Sequence, residues 1–481
     1  MSKPKLRIPH VFVLLAGVIL LCSLATFVVP SGRYDRVTRD VEGHERTLLV
    51  PGTYRHLDKL VSAEGVLLGR GDTPEDRARP VGLHGFLTAI PRGLEKQADI
   101  IFFIFVVGGV FGILQRTGVI TAGLRLLLDR FGRSGALLTV VIMSVLALGG
   151  STLGMGEEFI PLVPVFLLVS KRLGYDRIFG LALVIVAAQV GFAASTTNPF
   201  TVLVAQGIGE VPLLSGLWFR WIFLAVCLTT VLVYTLRYGA RVKADPAASL
   251  MAGDAFDLDL DDHDEPFAPR HAVILTACTA IFAFILFATV RFGWWMSDMA
   301  GGFLLMGLVA AAVGRLPVDE AAAAFVDGMR DMVVAAMVVG FARGIEVVLS
   351  DGQIMDTVVH SAAVALQQVP RHVAAVGMLV FQSTLNLLIP SGSGQAAVTM
   401  PLMAPLSDLL GLTRQTAVFA FTCGDGFSNS IIPTSGILMS MLALARIPYV
   451  TWLRFMVPLF LILMGWAVVF LLVAVGIGYS G

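Results

Sequence analysis

The chain has 481 residues, of which 56% are hydrophobic and 14% charged, a balance that would leave large apolar surfaces in water if it packed as soluble domains. Its 34 basic and 34 acidic residues cancel, so no basic excess points to a nucleic acid as partner. Four cysteines, Cys22, Cys227, Cys278 and Cys423, lie far apart in apolar segments, without the spacing of a zinc site or a disulfide framework.

Largely apolar runs at 11–29, 98–115, 216–236, 272–290 and 455–478 approach or exceed the roughly 20 residues that cross a hydrocarbon core. The chain therefore reads as an all-α, multi-pass protein of the bacterial inner membrane. The first run follows Lys3, Lys5 and Arg7; it is long and no A-x-A site follows, so it reads as an uncleaved anchor and not as a signal peptide. Residues 30–79, with Gly, Pro and alternating polar side chains, read as a small outer excursion without a separate folded domain. Short loops rich in Lys and Arg tend to stay cytoplasmic. That rule puts Arg116, Arg125, Arg130, Arg133, Lys171, Arg172, Arg177, Arg237, Arg241, Lys243, Arg446 and Arg454 on the inner side, with Arg291, Arg371 and Arg414 outside. The arginine-rich 30–79 must lie outside against the rule, which long loops obey poorly.

Residues 134–173 read as a re-entrant hairpin, because the apolar arms 134–149 and 158–170 are short and flank the glycine-rich tip GGSTLGMGEE. Such backbone is tolerated at membrane depth only when it is buried in protein or lines a watery cavity. The next apolar segment is broken at AASTTNPF, 193–200, where Asn198 before Pro199 suits the N-cap of a second half-helix. Residues 244–270 form an acidic stretch that reads as a disordered cytoplasmic linker. His263 among its aspartates reads as part of a solvated charge run, with a metal site as the alternative.

Beyond that linker the signals recur at an offset of about 235 residues, which is how an internal repeat looks in a transporter sequence. Gly93 matches Gly328, Gly118 matches Gly352, Ser151 and Pro161 match Ser391 and Pro401, and Arg177 matches Arg414. Gly191, Phe192 and Ser195 match Gly426, Phe427 and Ser430. A second hairpin is expected with arms near 373–389 and 398–411 around IPSGSGQA, and a second break at 423–436, CGDGFSNSIIPTSG, with Pro433, Thr434 and Ser435 opening its half-helix. Crossings at 98–115, 177–205, 216–238, 271–291 and 299–314 separate the copies; the odd number inverts the second. The resulting organisation is an anchor and outer segment (1–82), a first inverted repeat (83–243), the acidic linker (244–270), connecting helices (271–317) and a second inverted repeat (318–481).

Half-helix ends leave unpaired N–H and C=O groups with partial charges, able to bind a carboxylate at one end and a cation at the other. Tips and breaks together present Ser151, Thr152, Glu157, Ser195, Thr196, Thr197, Asn198, Ser391, Ser393, Gln395, Asp425, Ser428, Asn429, Thr434 and Ser435 as substrate- or ion-binding candidates. The coupling ion is H⁺ or Na⁺, a Na⁺ site being expected near Asn198 and Asn429; no cofactor is expected. The competing reading of each break is an ordinary proline kink.

Ionisable groups inside a membrane are costly and usually functional. The first tip carries Glu157 and Glu158 and the second break carries Asp425, while no Lys or Arg falls in 134–170, 178–219 or 373–413. That leans towards a substrate bearing positive charge, or towards carboxylates that bind the coupling ion. Glu158 has a second reading, pointing to the wet side of the tip. Arg343 also has two: a local pair with Glu346 one turn on, or a place in the site, which would favour a dicarboxylate. Gln382, Ser383, Thr384 and Asn386 form a polar stripe leading into the second tip, which also suits interhelical hydrogen bonds.

The paired hairpins, the STTNPF and GDGFSNSIIPTSG breaks and the opening PSGRYDR resemble the YfcC and C4-dicarboxylate carrier group of the ion transporter superfamily over nearly the whole chain. The resemblance implies an ion-coupled secondary carrier, often a homodimer, with a scaffold and a moving transport domain. Its members are associated with C4-dicarboxylates or with basic amino acids such as arginine and ornithine. It does not choose between these, and the acidic site favours the basic amino acid, with the Na⁺- or H⁺-coupled C4-dicarboxylate carrier as the alternative.

An enzyme fits the residues poorly. Tyr175-Asp176 and Thr422-Cys423-Gly424-Asp425 resemble the two motifs of intramembrane aspartyl proteases, but Thr422 stands where the first glycine belongs and Asp176 falls at a predicted loop. Neither H-E-x-x-H, G-x-S-x-G nor a phosphate-binding G-x-x-x-x-G-K-[ST] occurs. A channel also lines its pore with polar backbone; counterflow of labelled substrate separates it from a carrier.

Overall fold

The computed structural model describes residues 11–41, 44–69, 74–120, 122–123, 135–254, 256, 267–292, 294 and 296–480. Lys3, Lys5 and Arg7, the arginines Arg125, Arg130 and Arg133, and His263 lie outside the described residues.

Helix α1 (Val11–Val28) takes up the first apolar run. Lys59 meets its C-terminal carbonyls, Nζ donating to Thr26 O (2.6 Å) and Val29 O (2.5 Å), where the helix dipole is negative. The segment read as an outer excursion holds more structure than its composition suggests. It forms β1 (Ser31–Arg33), β2 (Arg36–Val41), β3 (His44–Leu49), β4 (Arg55–Lys59), α2 (Ala63–Leu68) and β5 (Arg77–Ala78). Strands β1, β4 and β5 make one sheet in that order, and β2 and β3 an antiparallel hairpin. The alternation of polar residues is the period-2 pattern of these strands.

Helices α3 (Leu83–Lys96), α4 (Ala98–Arg116) and α5 (Gly135–Leu153) follow. A 3₁₀ turn, Glu157–Leu162, leads to α6 (Val163–Arg172), α7 (Arg177–Ala193), α8 (Val202–Ile208) and α9 (Leu217–Ala244). Connecting helices α10 (Pro269–Phe292) and α11 (Met296–Gly314) precede α12 (Val318–Asp331), α13 (Val333–Asp351), α14 (Met355–Leu366) and α15 (Arg371–Leu385). The chain ends with α16 (Gly392–Leu409), α17 (Arg414–Ser428), α18 (Gly436–Ala445) and α19 (Tyr449–Ile477). Six described helices, α4, α5, α9, α11, α13 and α19, are long and apolar enough to cross a membrane.

Helix α5 corrects one expectation. The sequence predicts an arm ending near residue 149, too short to cross, but the helix continues through Gly149, Gly150 and Ser151 to Leu153 and reaches 19 residues. Close packing accounts for it: a β-carbon at Gly150 would lie 2.5 Å from Ala188 O of α7, so Gly150 serves a helix crossing and does not end the helix.

Helices α3 and α12 start 235 residues apart and end 235 apart (Leu83 to Val318, Lys96 to Asp331), and α4 and α13 do the same. Their packing is reciprocal: α3 lies on α13, and α4 on α12. Gly93 of α3 fits against Gly340 and Gly344 of α13, and Gly328 of α12 against Gly108 and Gly112 of α4; no side chain has room at either crossing. Arg92 pairs with Asp351 at one end, and Arg116 with Glu320 (2.6 Å) at the other.

The acidic stretch is ordered where it leaves α9. Ser249 Oγ donates to Asp176 Oδ2 (2.6 Å), Asp254 pairs with Arg177, and that guanidinium sits 4.8 Å from the Phe256 ring centroid. The expectation of a disordered linker therefore fails up to Asp254, because the start of α7 offers a buried arginine and a capping aspartate for it to dock on.

Candidate substrate and ion site

The first break separates α7 from α8 and is held by the end of α5. Ser151 Oγ accepts from Thr196 N (3.0 Å) and lies 3.1 Å from Thr196 Oγ1, while Ser151 O accepts from Thr196 N and Thr197 N. Thr197 Oγ1 donates to Thr152 O (3.1 Å), and Ser195 Oγ lies 3.4 Å from Thr201 Oγ1. Asn198 does not cap α8 as the sequence suggests. Its Oδ1 accepts from Phe200 N (2.8 Å), closing a local turn around Pro199, and α8 begins only at Val202 after Thr201. An Asx turn competes with helix capping for the same side-chain oxygen. The Asn198 Nδ2 atom is buried with no partner among the described residues.

The second break is held by Asn386, just past α15. Its Nδ2 reaches Asp425 O (2.7 Å), Ser428 Oγ (2.8 Å) and Asn429 Oδ1 (2.8 Å). Asn386 thus does for the second break what Ser151 does for the first, whereas Ser391, the residue matched to Ser151 by sequence, caps α16 by accepting from Gly394 N (3.4 Å). Gln395 Nε2 donates to Gln382 O (2.9 Å) and Oε1 (2.7 Å) and ties the second tip to α15. The cap of α18 is Ser435, which accepts from Leu438 N (3.3 Å); Pro433 lies upstream of that helix, and the Thr434 hydroxyl is buried with no described partner.

The two breaks meet. Gly426 of α17 touches the backbone of Ala193 at the end of α7, with no space for a β-carbon. The broken segments run antiparallel: Arg414 at the start of α17 donates to Gly209 O beyond α8 (3.0 Å), and Arg446 beyond α18 shares a cavity with Arg177 at the start of α7. At this crossing Asp425 is 0% exposed and neither carboxylate oxygen has a partner among the described residues. A β-carbon built on Gly392 would stand 3.2 Å from Asp425 Oδ2 and 3.6 Å from the Phe192 ring, against Thr201. The carboxylate therefore faces the second tip and the first break together.

One charged residue at this crossing escaped the sequence reading. Arg220, the fourth residue of α9, is 1% exposed. Its Nη1 donates to Ser195 O in the first break and to Thr422 Oγ1 on α17, both at 3.3 Å, and the guanidinium lies 5.8 Å from the Phe419 ring centroid. Arg220 was legible as an arginine inside an apolar run; what hid it was counting cations only over the hairpins and breaks. The inference that the site lacks cationic donors is corrected accordingly.

Other candidates stand apart. Glu158 Oε2 accepts from Gly156 N (2.8 Å) and braces the first tip, and Glu157 opens the 3₁₀ turn half-buried. Ser393 is half-buried with no side-chain hydrogen bond among the described residues. Arg343 pairs with Glu346 on its own helix, the local alternative. Asp176 accepts from Phe179 N (2.8 Å) and Tyr238 Oη (2.5 Å) at the start of α7, the end opposite Asp425, so the two acids form no catalytic pair. Among the described residues no cluster of His, Cys, Asp and Glu is suited to a metal ion.

A cavity of about 1110 Å³ opens between α4 and α12 on one side and α6 and α18 on the other. Arg116, Arg177 and Arg446, predicted to share the inner face, all line it, with Glu320, Asp327 and Asp331. Its wall includes Met439, about one helical turn from the Ser435 cap.

Residues 8–476 match the family model described as the C4-dicarboxylate anaerobic carrier, DcuC. The chain is 37% identical to the Escherichia coli (strain K12) protein named "Putative basic amino acid antiporter YfcC", the alignment covering 94% of each. It is 29% identical, over 95% of each chain, to an uncharacterized protein of Haemophilus influenzae. Among solved structures it is similar to the YdaH transporter of Alcanivorax borkumensis, with TM-score 0.45 and 18% identity over 98% of this chain and 99% of that one. Neisseria gonorrhoeae MtrF gives TM-score 0.43 at 18% identity, over 98% of this chain and 96% of that one. With a family match over nearly its whole length and a multi-pass helical architecture, the chain belongs to the C4-dicarboxylate anaerobic carrier family of membrane transporters.

Proposed function

We propose that the chain is an ion-coupled antiporter that exchanges a basic amino acid of the arginine or ornithine type across the inner membrane, with H⁺ or Na⁺ as coupling ion. The observation that carries this reading is Asp425, wholly buried where both breaks and the second tip converge, with neither oxygen partnered among the described residues. A carboxylate in that setting costs several kcal/mol unless a proton, a metal cation or a substrate cation accompanies it. Exchange of one cation for another keeps it neutralised throughout the cycle. The name of the Escherichia coli relative, which covers 94% of this chain at 37% identity, supports the same substrate class.

The architecture in this proposal is a pair of inverted repeats whose tips, near 154–156 and 386–391, turn back within the membrane. Reciprocal packing of α3 with α13 and α4 with α12, and the antiparallel crossing at Ala193 and Gly426, support it. The large cavity serves as the inner access route, and two copies form a homodimer. A second reading, an ion-coupled C4-dicarboxylate carrier, is favoured by the family description and by the guanidinium of Arg220.

A thermal-shift screen of the purified protein against arginine, ornithine, polyamines and dicarboxylates tests the choice, since a ligand at 100 times its Kd stabilises the native state by about 2.7 kcal/mol. Stabilisation by ornithine or arginine is expected. Stabilisation by succinate alone replaces the reading with the dicarboxylate one.

A further inference from the structure

The two breaks are held from α9 and α19 in the same way, and the difference between them is informative. Trp452, like Arg220 the fourth residue of its helix, donates Nε1–H to Ser430 O (2.9 Å), as Arg220 donates Nη1–H to Ser195 O. A neutral indole thus suffices to hold a break carbonyl. Arg220 does that task with one nitrogen and leaves Nε and Nη2 buried, without partners among the described residues. These two atoms form the side of the guanidinium whose parallel N–H bonds match the two oxygens of a carboxylate. The Phe419 face and the Thr422 hydroxyl fix the plane of the group.

No protein carboxylate meets that edge among the described residues, and the unpartnered acid, Asp425, lies one turn beyond Thr422 on α17. Residues one turn apart on a helix are neighbours, about 5–6 Å between β-carbons. A buried guanidinium and a buried carboxylate, each short of partners, flank one crossing, which balances the net charge of the site without pairing its members. The positions that match them are uncharged, Trp452 as the fourth residue of its helix for Arg220 and Val190 at the 235-residue offset for Asp425.

We propose that Arg220 binds the carboxylate of the transported molecule through Nε–H and Nη2–H while Asp425 holds an ammonium group of the same molecule. The ligands are then amino acids with a free carboxylate, and the corresponding decarboxylated amines are excluded. This rests on the exchange reading above and adds the group that reads the acid end of the substrate.

The test is exchange of radiolabelled ornithine by the full-length chain in liposomes, with ornithine, putrescine and ornithine methyl ester as competitors. Wild type should prefer ornithine over both others by about 10- to 100-fold, the range for losing a hydrogen bond to a charged group. R220Q should lose ornithine affinity by a similar factor with putrescine little changed, and R220K, which keeps the charge but not the two-pronged edge, should fall between. Where R220Q fails to fold, R220K and the wild-type series decide. Equal competition by ornithine and putrescine in wild type overturns the assignment of Arg220 and leaves basic amino acid exchange standing. An R220Q/D425N double variant with wild-type ornithine affinity shows that the two groups serve only each other, and also overturns it. A wild-type protein that exchanges succinate and no ornithine refutes the function itself, and the amino-acid class with it.

Discussion

Asp425 and Asn386 have separate tasks at the second break. Asn386 fixes the backbone and the Ser428 and Asn429 side chains, so that Asp425 is left with a carboxylate that nothing described satisfies. Asp425→Asn removes a charge without changing shape, and should weaken binding of a cationic amino acid by about 1.5 to 3 kcal/mol, as for a lost hydrogen bond to a charged group. Titration calorimetry would show it; unchanged affinity would mean that the acid faces no ligand. Ser428→Ala, which removes a hydroxyl already bonded to Gly424 O (2.8 Å), should have the smaller effect. Asn386→Ala should lower stability by about 1 to 2 kcal/mol, the range for a buried hydrogen bond between membrane helices, measured as a fall in Tm. Asn386 was visible in the sequence as part of a polar stripe. Its role was not, because matching Ser151 to Ser391 by glycine-rich surroundings overlooks that α5 runs on to Leu153 while α15 stops at Leu385.

Among the helices, the crossings are set by glycine. Gly426 lies against the Ala193 backbone, so Gly426→Ala should destabilise by about 1 to 3 kcal/mol through overpacking. Gly465, exposed on α19, would meet nothing within 4 Å; Gly465→Ala should be neutral or stabilising by up to about 1 kcal/mol, since Ala suits a helix better. Thermal unfolding of the two variants checks the contrast, and equal shifts would show that the α7–α17 crossing is looser than described. Glycine and proline placed both breaks correctly in the sequence. The helix starts came out several residues late, because Asn198 folds back on Phe200 and Ser435, not Pro433, caps α18. The outer strands were missed for a different reason: β1 is bound by tertiary contacts, Ser31 Oγ to Gly352 O (2.9 Å) and Gly32 N to Gln353 O (2.9 Å). Next to it Tyr34 N and Arg36 Nη2 both bond Asp356 on α14, each at 2.9 Å. The PSGRYDR motif is a clasp between the strand segment after α1 and residues 352–356, and no short-range pattern announces its partner.

Across the whole chain, the sequence showed the membrane class and the family, since these depend on hydropathy and on extended motifs; α3, α4, α12 and α13 keep the 235-residue offset to the residue. The charge balance of the site was less legible, because Arg220 enters it from a helix that reads in sequence as ordinary apolar span. If the repeats are inverted, single cysteines at Glu157 and Ser393, in a background lacking Cys22, Cys227, Cys278 and Cys423, should react from opposite compartments. Labelling of both from one side would refute the inversion. The transport reading itself is tested by counterflow. Proteoliposomes loaded with unlabelled ornithine should accumulate labelled ornithine above its equilibrium level, and the Asp425→Asn protein should not. Simple equilibration without overshoot, or uptake independent of the ornithine inside, would contradict an exchanger and point to a channel.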